Sequence, residues 1–163
     1  MNTLTIIATI VAIVGSALIG GFFCAFSNFV MMALERVPAA EGIAAMQTIN
    51  VTVLNRWFLG VFMGTAVVSL ILAVVAIAGW TSPHSPYLLG GAVSYIGGTW
   101  LVTAFGNVPL NDGLAAVDVD DPVASNIWDH YLERWVALNS RRTGAALLAA
   151  VLFSIGLIGA SRF

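Results

Sequence analysis

Five side chains with polar tips share one face of a long predicted helix late in the chain. They are Trp128, Tyr131, Trp135, Asn139 and Arg142. At about 100° of rotation per residue, they fall within an arc of about 80°. The aromatic rings can bind a flat molecule, while the amide and guanidinium groups can donate hydrogen bonds to an oxygen that gains negative charge. The row therefore predicts a site for a flat, oxygenated aromatic molecule; an interfacial belt of Trp and Tyr is the alternative.

The charged residues of the same segment fall on other faces of this helix. Beside the row or opposite it lie Asp129, His130, Glu133, Arg134 and Arg141. Such a charged face is typical of a helix in contact with water, and we interpret it in that way rather than as a metal site. Arg142, and not its neighbour Arg141, is therefore the predicted site arginine. No residue on the row is an obvious general base.

Two further amides lie on a helix predicted within the loop at 35–56. Gln47 and Asn50 share a stripe with the aliphatic residues Ile43 and Leu54. Because buried polar groups need hydrogen-bond partners, we expect both amides to point inward towards such partners. The site is expected between this cap and the rest of the protein.

Three more asparagines are candidate site residues that also have a structural explanation. Asn107 and Asn111 flank Pro109, where the third apolar segment is expected to end, so capping or turn chemistry explains them equally well. Asn28 lies past the middle of the long first helix, where a hydrogen bond between helices is the alternative.

The composition places these residues in a membrane protein. Of 163 residues, 60% are hydrophobic and only 9% are charged, and the six basic residues are all arginine. A soluble domain has about 25% charged residues, so this chain lacks the polar groups to coat a soluble surface. An ordinary soluble enzyme, a disordered chain and a nucleic-acid binder are excluded, the last because no basic patch is present.

Gaps between charged residues define four membrane spans. They are expected at about 4–26 with a helical extension to 34, at 57–79, at 87–106 and at 137–160. Each holds the roughly 20 residues that cross a bilayer core. The predicted fold is an all-α, four-transmembrane-helix bundle formed by a single membrane domain over 1–163. Helices from the two longer loops cap the bundle on one side.

Arginine placement predicts how the protein is inserted. Five of the six arginines lie in or next to the loops at 35–56 and 107–136, and Arg162 alone lies on the other side. By the positive-inside rule these two loops are cytoplasmic in a multi-pass protein of the cell membrane.

Small residues recur four positions apart in the spans. The pairs are Gly60 with Gly64, Ser16 with Gly20, and Ala145 with Ala149. We interpret them as close packing within the bundle, and a seam of a homo-oligomer is the alternative.

Four segments, in order along the chain, resemble the anthrone oxygenase-like family of small four-helix membrane proteins, formerly a domain of unknown function. They read Phe26-Ser-Asn-Phe-Val-Met-Met-Ala-Leu34, Gly42-Ile-Ala-Ala-Met-Gln-Thr-Ile-Asn50, Asn107-Val-Pro-Leu-Asn111 and Trp128-x-x-Tyr-x-x-x-Trp-x-x-x-Asn-x-x-Arg142. The resemblance implies a four-span bundle. For some fungal members it implies oxidation of an anthrone to an anthraquinone by O2.

The residues and the resemblance together predict a cofactor-independent oxygenase that acts on a flat, apolar, anthrone-like or phenolic substrate. Arg142 and Asn139 are the expected catalytic residues. The expected substrate-binding residues are Trp128, Tyr131, Trp135, Gln47, Asn50, Asn107, Asn111 and Asn28. No metal or other cofactor is expected, because the spans contain no carboxylate and the nucleotide-binding glycine fingerprints are absent.

Two other functions stay open. A non-enzymatic binder of lipids or quinone-like molecules, or a scaffold subunit of a membrane complex, also fits an apolar bundle with one polar site. An exporter fits less well, since no ionisable residue lies in the middle of a span. The expected partners are membrane lipid and a hydrophobic small molecule, with no nucleic acid.

Overall fold

The structure, a computed structural model, describes residues 1–160, so Arg162 lies outside the described residues. Within this part the chain forms five helices and no strand. They are α1 (Thr3–Leu34), α2 (Ala39–Thr52), α3 (Arg56–Ala78), α4 (Ser85–Ala115) and α5 (Ala124–Ala160). All except α2 are long and apolar enough to cross a membrane. The predicted all-α fold with four spans is confirmed.

The long first and last helices form the centre of the bundle. Asn2 caps the start of helix α1, since its side chain accepts a hydrogen bond from Thr5 N at 2.8 Å, and Pro38 follows the end of the helix. Its backbone is π-helical over Phe26–Val30, so its hydrogen bonds join residues five apart instead of the four of an α-helix. Helix α1 packs along α5, where the small buried residues Ala146 and Ala149 allow a close approach.

Helices α3 and α4 are close at one end and apart at the other. Near their connecting turn they pack tightly, and the Tyr95 hydroxyl donates to the Phe62 carbonyl at 3.1 Å. Trp100 Nε1 then reaches Met63 Sδ at 3.2 Å. Beyond this point α3 makes little contact with the 103–115 end of α4. The resulting gap lies under α2, which covers this end of the bundle.

The end of α4 corrects one expectation from the sequence. The third span was expected to stop near Pro109, but the helix continues through this proline to Ala115. The preceding stretch Thr103–Asn107 is π-helical, and Pro109 falls in the first turn after it. In that position the missing N–H of proline breaks no regular α-helical hydrogen bond, so the helix need not end there.

The pairs of small residues do not all lie inside the bundle. A Cβ at Gly20 would come within 2.8 Å of Leu147 on α5, which fits the predicted close packing. Gly60 and Gly64 have nothing within 4 Å of such a Cβ, so the prediction that they pack within the bundle is wrong. Both are exposed, whereas Phe62, which lies between them in the sequence, is buried in the core.

Exposed aromatic residues mark the two ends of α3. Trp57 and Trp80 lie about 35 Å apart at 1.5 Å per residue, slightly more than a bilayer core of about 30 Å. Indole rings favour the interface between lipid and water. Between them the outer surface is apolar, with Val67, Leu70 and Val74 more than half exposed. This is the surface of an integral, multi-pass membrane protein.

Candidate functional site

A cavity of about 280 Å³ fills the gap between α3 and α4 beneath the cap. The cap contributes the end of α2, and α1, α3, α4 and α5 each contribute to the walls. Four phenylalanine rings line its apolar part, namely Phe22, Phe23, Phe26 and Phe58. The cavity also contains a small number of polar groups, a combination that is usual in small-molecule sites.

Arg142 forms one polar wall of this cavity. Its side chain is only 5% exposed. Nε donates to Asn139 Oδ1 at 2.9 Å, and Nη1 donates to Thr103 Oγ1 at 3.2 Å. The guanidinium carbon lies 3.7 Å from the centre of the Phe23 ring and 5.1 Å from that of Trp135. Cation–π contacts of this kind hold the group in place but do not neutralise its charge.

None of these contacts of Arg142 is with a carboxylate. Its two hydrogen-bond acceptors are neutral, and Nη2 donates to no acceptor among the described residues. A buried cation at the membrane is unfavourable unless it is paired or used. Arg142 therefore presents an unneutralised charge and free donor capacity to the cavity.

Asn139 fixes the position of Arg142. Its Nδ2 donates at 2.7 Å to both the Phe23 carbonyl and Ser27 Oγ on α1, and its Oδ1 accepts from the arginine. The amide nitrogen and the amide oxygen of Asn139 are thus both bonded within the protein, and the side chain is fully buried. Asn139 does not line the cavity. It acts on the site by holding Arg142.

Asn111 anchors the aromatic residues of α5. Its Oδ1 accepts from both the Tyr131 hydroxyl and Trp135 Nε1, each at 2.9 Å. Tyr131 stacks on Trp128 with ring centres 5.5 Å apart and planes inclined by 13°. Trp135 lines the cavity, but Trp128 and Tyr131 lie behind it, where Trp128 packs over Gly42 of the cap.

The two amides of the cap have different roles. Gln47 Nε2 donates to the carbonyls of Leu114 and Val117, at 2.9 and 3.0 Å, and so ties α2 to the end of α4. Asn50 Nδ2 is buried close to the Tyr131 hydroxyl but makes no hydrogen bond with a described residue. An unsatisfied buried donor is rare. Asn50 lines the cavity, but its Nδ2 has almost no accessible surface and is turned towards Tyr131 rather than the empty space.

The rim of the cavity is apolar and exposed. Val51 and Leu54, at the end of α2, are 75% and 63% exposed, and Val108 of α4 completes the edge. Phe58, which follows the interfacial Trp57 by one residue, lines the cavity below this rim. The opening therefore lies close to the exposed Trp57, a residue type that favours the interface between lipid and water.

The structure brings together five of the predicted site residues at the cavity. They are Gln47, Asn50, Asn111, Trp135 and Arg142. Asn107, Trp128, Tyr131 and Asn139 are buried behind this wall rather than in it. The placement of Asn28 in the site was wrong: it is exposed, and its Nδ2 donates to Cys24 O and Sγ within its own turn of α1.

Sequence reasoning missed two kinds of cavity residue. The rings of Phe22, Phe23 and Phe26 lie three and four positions apart, a helical spacing that could have indicated one aromatic face. Asp112 also lines the cavity and was not considered, because the helix was expected to end before it.

Among the described residues, no group of three or more His, Cys, Asp or Glu side chains could hold a metal ion.

Comparison with known proteins gives one match. The family model for anthrone oxygenase matches residues 54–152, which is more than half of the chain and includes Asn111, Trp135 and Arg142. No curated protein and no solved structure matches the chain. With its four apolar helices, the protein is an integral membrane protein that belongs to the anthrone oxygenase family.

Proposed function

We propose that the protein is a cofactor-independent oxygenase that uses O2 to oxidise a flat, apolar, anthrone-like or phenolic substrate. The main support for this proposal is that Arg142 is a buried cation with only neutral partners and lines an aromatic cavity. A substrate that becomes an anion on deprotonation would supply the missing negative charge. The family membership supports the same class of reaction.

The cavity supports a specific pose for such a substrate. The oxygen of the substrate accepts a hydrogen bond from Arg142 Nη2, which donates to no acceptor among the described residues. The fused rings lie among the phenylalanine side chains and Trp135. The volume of 280 Å³ is near the lower end of the range of about 300–1,000 Å³ for small-molecule sites, as suits a compact planar ligand.

The residues lower the barrier by stabilising charge. Removal of a methylene proton from an anthrone leaves an anion whose charge resides largely on the carbonyl oxygen. Donors fixed before the reaction stabilise that oxygen more than the neutral ground state, which is how an oxyanion hole works. Electrons of the anion itself then reduce O2, and the CH2 group becomes C=O with release of one water.

Oxygen uptake tests this proposal directly. The purified protein in detergent is mixed with anthrone, and O2 consumption and the absorbance of anthraquinone are followed together. We expect both to rise above the rate in buffer, with one O2 consumed for each anthraquinone formed. Absence of acceleration with anthrone and with hydroxylated anthrones would contradict the proposal.

A non-enzymatic binder of quinone-like molecules is the second candidate function. The free donor of Arg142 also fits the carbonyl oxygen of a quinone. Saturable quenching of tryptophan fluorescence by anthraquinone, without O2 consumption on addition of anthrone, would favour the binder over the oxygenase.

We propose that the substrate reaches the cavity from the membrane across the apolar rim. Replacing Leu54 by lysine places a charge on this rim, and we expect KM for anthrone to rise several-fold while kcat changes little, because only binding is weakened. Steady-state kinetics at varied anthrone concentration measures both. Val37→Lys is the control, since Val37 is exposed but does not line the cavity. An unchanged KM in Leu54→Lys would contradict this route.

We further propose that the loops at 35–56 and 107–136 are cytoplasmic in the cell membrane. Ser125→Cys and Thr81→Cys, each in a Cys24→Ser background, report the two ends of the bundle. With a membrane-impermeant maleimide on intact cells, we expect labelling at position 81 only. Labelling at position 125 instead would reverse the orientation. Formation of a homo-oligomer stays a prediction.

A further inference from the structure

The cavity has a single acidic residue in its lining, Asp112 near the end of α4. It follows Asn111, whose side-chain oxygen accepts from Tyr131 and Trp135. Asp112 is exposed, and no charge interaction between it and Arg142 is found among the described residues. The two charges therefore stand apart on the lining and do not neutralise each other.

Asp112 lies at the opposite end of the cavity from the arginine. Arg142 is bonded to Thr103 on α4, and Asp112 follows Thr103 by nine residues, or roughly 13 Å along the helix. The exposed position of Asp112 places it towards the cap and the solvent, whereas Arg142 is buried. A substrate that bridges the cavity thus meets donors at one end and a carboxylate at the other.

We propose that Asp112 is the general base that removes the methylene protons of the substrate; this rests on the proposed function. In an anthrone the carbonyl and the methylene carbon lie opposite each other across the central ring. When Arg142 holds the oxygen, the methylene carbon points away from the guanidinium, towards the end where Asp112 lies. Asp112 is the carboxylate in the lining that can accept the proton.

The proton steps balance with this one base. The first C–H bond breaks, its proton moves to Asp112, and the electron pair delocalises onto the carbonyl oxygen held by Arg142. Oxygen then forms a bond to the same carbon, and the resulting peroxide takes the proton back from Asp112. Next, Asp112 removes the second proton from that carbon. A C=O bond forms as the O–O bond breaks, and the leaving hydroxide takes the proton as water.

Exchange of the methylene hydrogens isolates the first of these steps. Anthrone deuterated at the methylene carbon is incubated with protein in the absence of O2, and loss of deuterium is measured by mass spectrometry. Wild type is expected to speed this exchange above the buffer rate. Asp112→Asn, which keeps the size of the side chain, is expected to slow both exchange and O2 consumption about 100-fold or more.

A matched variant and a rescue experiment complete the test. Asp120→Asn removes an exposed carboxylate that does not line the cavity, and it is expected to keep the wild-type rate. Added formate is expected to restore exchange in Asp112→Ala, because a small base can occupy the vacated space. Quenching of tryptophan fluorescence by anthraquinone checks that both Asp112 variants still fold and bind.

The outcomes separate this inference from the proposed function. If wild type exchanges deuterium and consumes O2 while Asp112→Asn does so within twofold of wild type, Asp112 is not the base and the oxygenase proposal stands. If wild type accelerates neither reaction, the oxygenase proposal fails, and the role of Asp112 falls with it. Loss of exchange in Asp112→Asn together with rescue by formate supports the assignment.

Discussion

Replacing Arg142 by glutamine is expected to lower kcat/KM for an anthrone by about 100- to 1,000-fold, the usual effect of losing an oxyanion donor. Glutamine can still bond to one neighbour, but it carries no charge to stabilise the substrate anion. The defect is expected mainly in kcat, because the charge interaction is stronger in the transition state than with the neutral substrate. Initial rates of O2 uptake at varied anthrone concentration measure both parameters.

Arg141→Gln is the matched control for this change. The two arginines are adjacent on α5, but Arg141 is exposed and Arg142 is buried. We expect Arg141→Gln to keep the wild-type rate. Arg142→Lys should restore little activity, since an ammonium group cannot bond to Asn139 and Thr103 with the planar geometry of guanidinium. Wild-type kinetics in Arg142→Gln would remove the basis of the proposed function.

Asn139→Leu is expected to affect both stability and activity. It keeps the size of the side chain but leaves the Phe23 carbonyl, Ser27 Oγ and Arg142 Nε without their partner. Buried polar groups that lose a partner cost about 1–3 kcal/mol, so we expect the melting temperature to fall by a few degrees. Because Arg142 is no longer held in place, kcat should also fall. Thermal unfolding in one detergent, followed by tryptophan fluorescence, measures the change in stability.

Asn28→Leu is the matched control for Asn139→Leu. Asn28 is an exposed asparagine on α1 whose side chain bonds only within its own turn. We expect it to change melting temperature and activity little. Should Asn139→Leu retain both the stability and the rate of wild type, the hydrogen bonds that join α5 to α1 would not be needed to position the arginine.

Periodicity predicted which face of α5 is turned inward. All five residues of the predicted row are buried, and Arg141 is exposed as expected from its angle on the helix. An angle does not give the depth along the helix or the neighbour opposite each side chain. The sequence therefore did not distinguish Trp135, which lines the cavity, from Trp128, which packs against Gly42 of the cap.

Irregular backbone explains the other misses. The π-helical stretches in α1 and α4 shift the helical phase, so the side on which a later residue lies cannot be obtained from a constant rotation. Asn28 lies within one such stretch. Residue spacing likewise cannot say whether Gly60 and Gly64 meet a helix or the lipid, because small residues are compatible with either.

The hydrogen bonds of Arg142 also have a consequence for biosynthesis. Its partners lie on α4 and α5, and Asn139 extends the network to α1. Synthesis runs from the amino terminus, so α1, α3 and α4 leave the ribosome before the segment that carries the arginine. The charge thus arrives last, when the neighbours that stabilise it are already present. A nascent chain that ends before α5 holds no such charge, and among the four spans α5 is the one whose insertion brings Arg142 to the cavity.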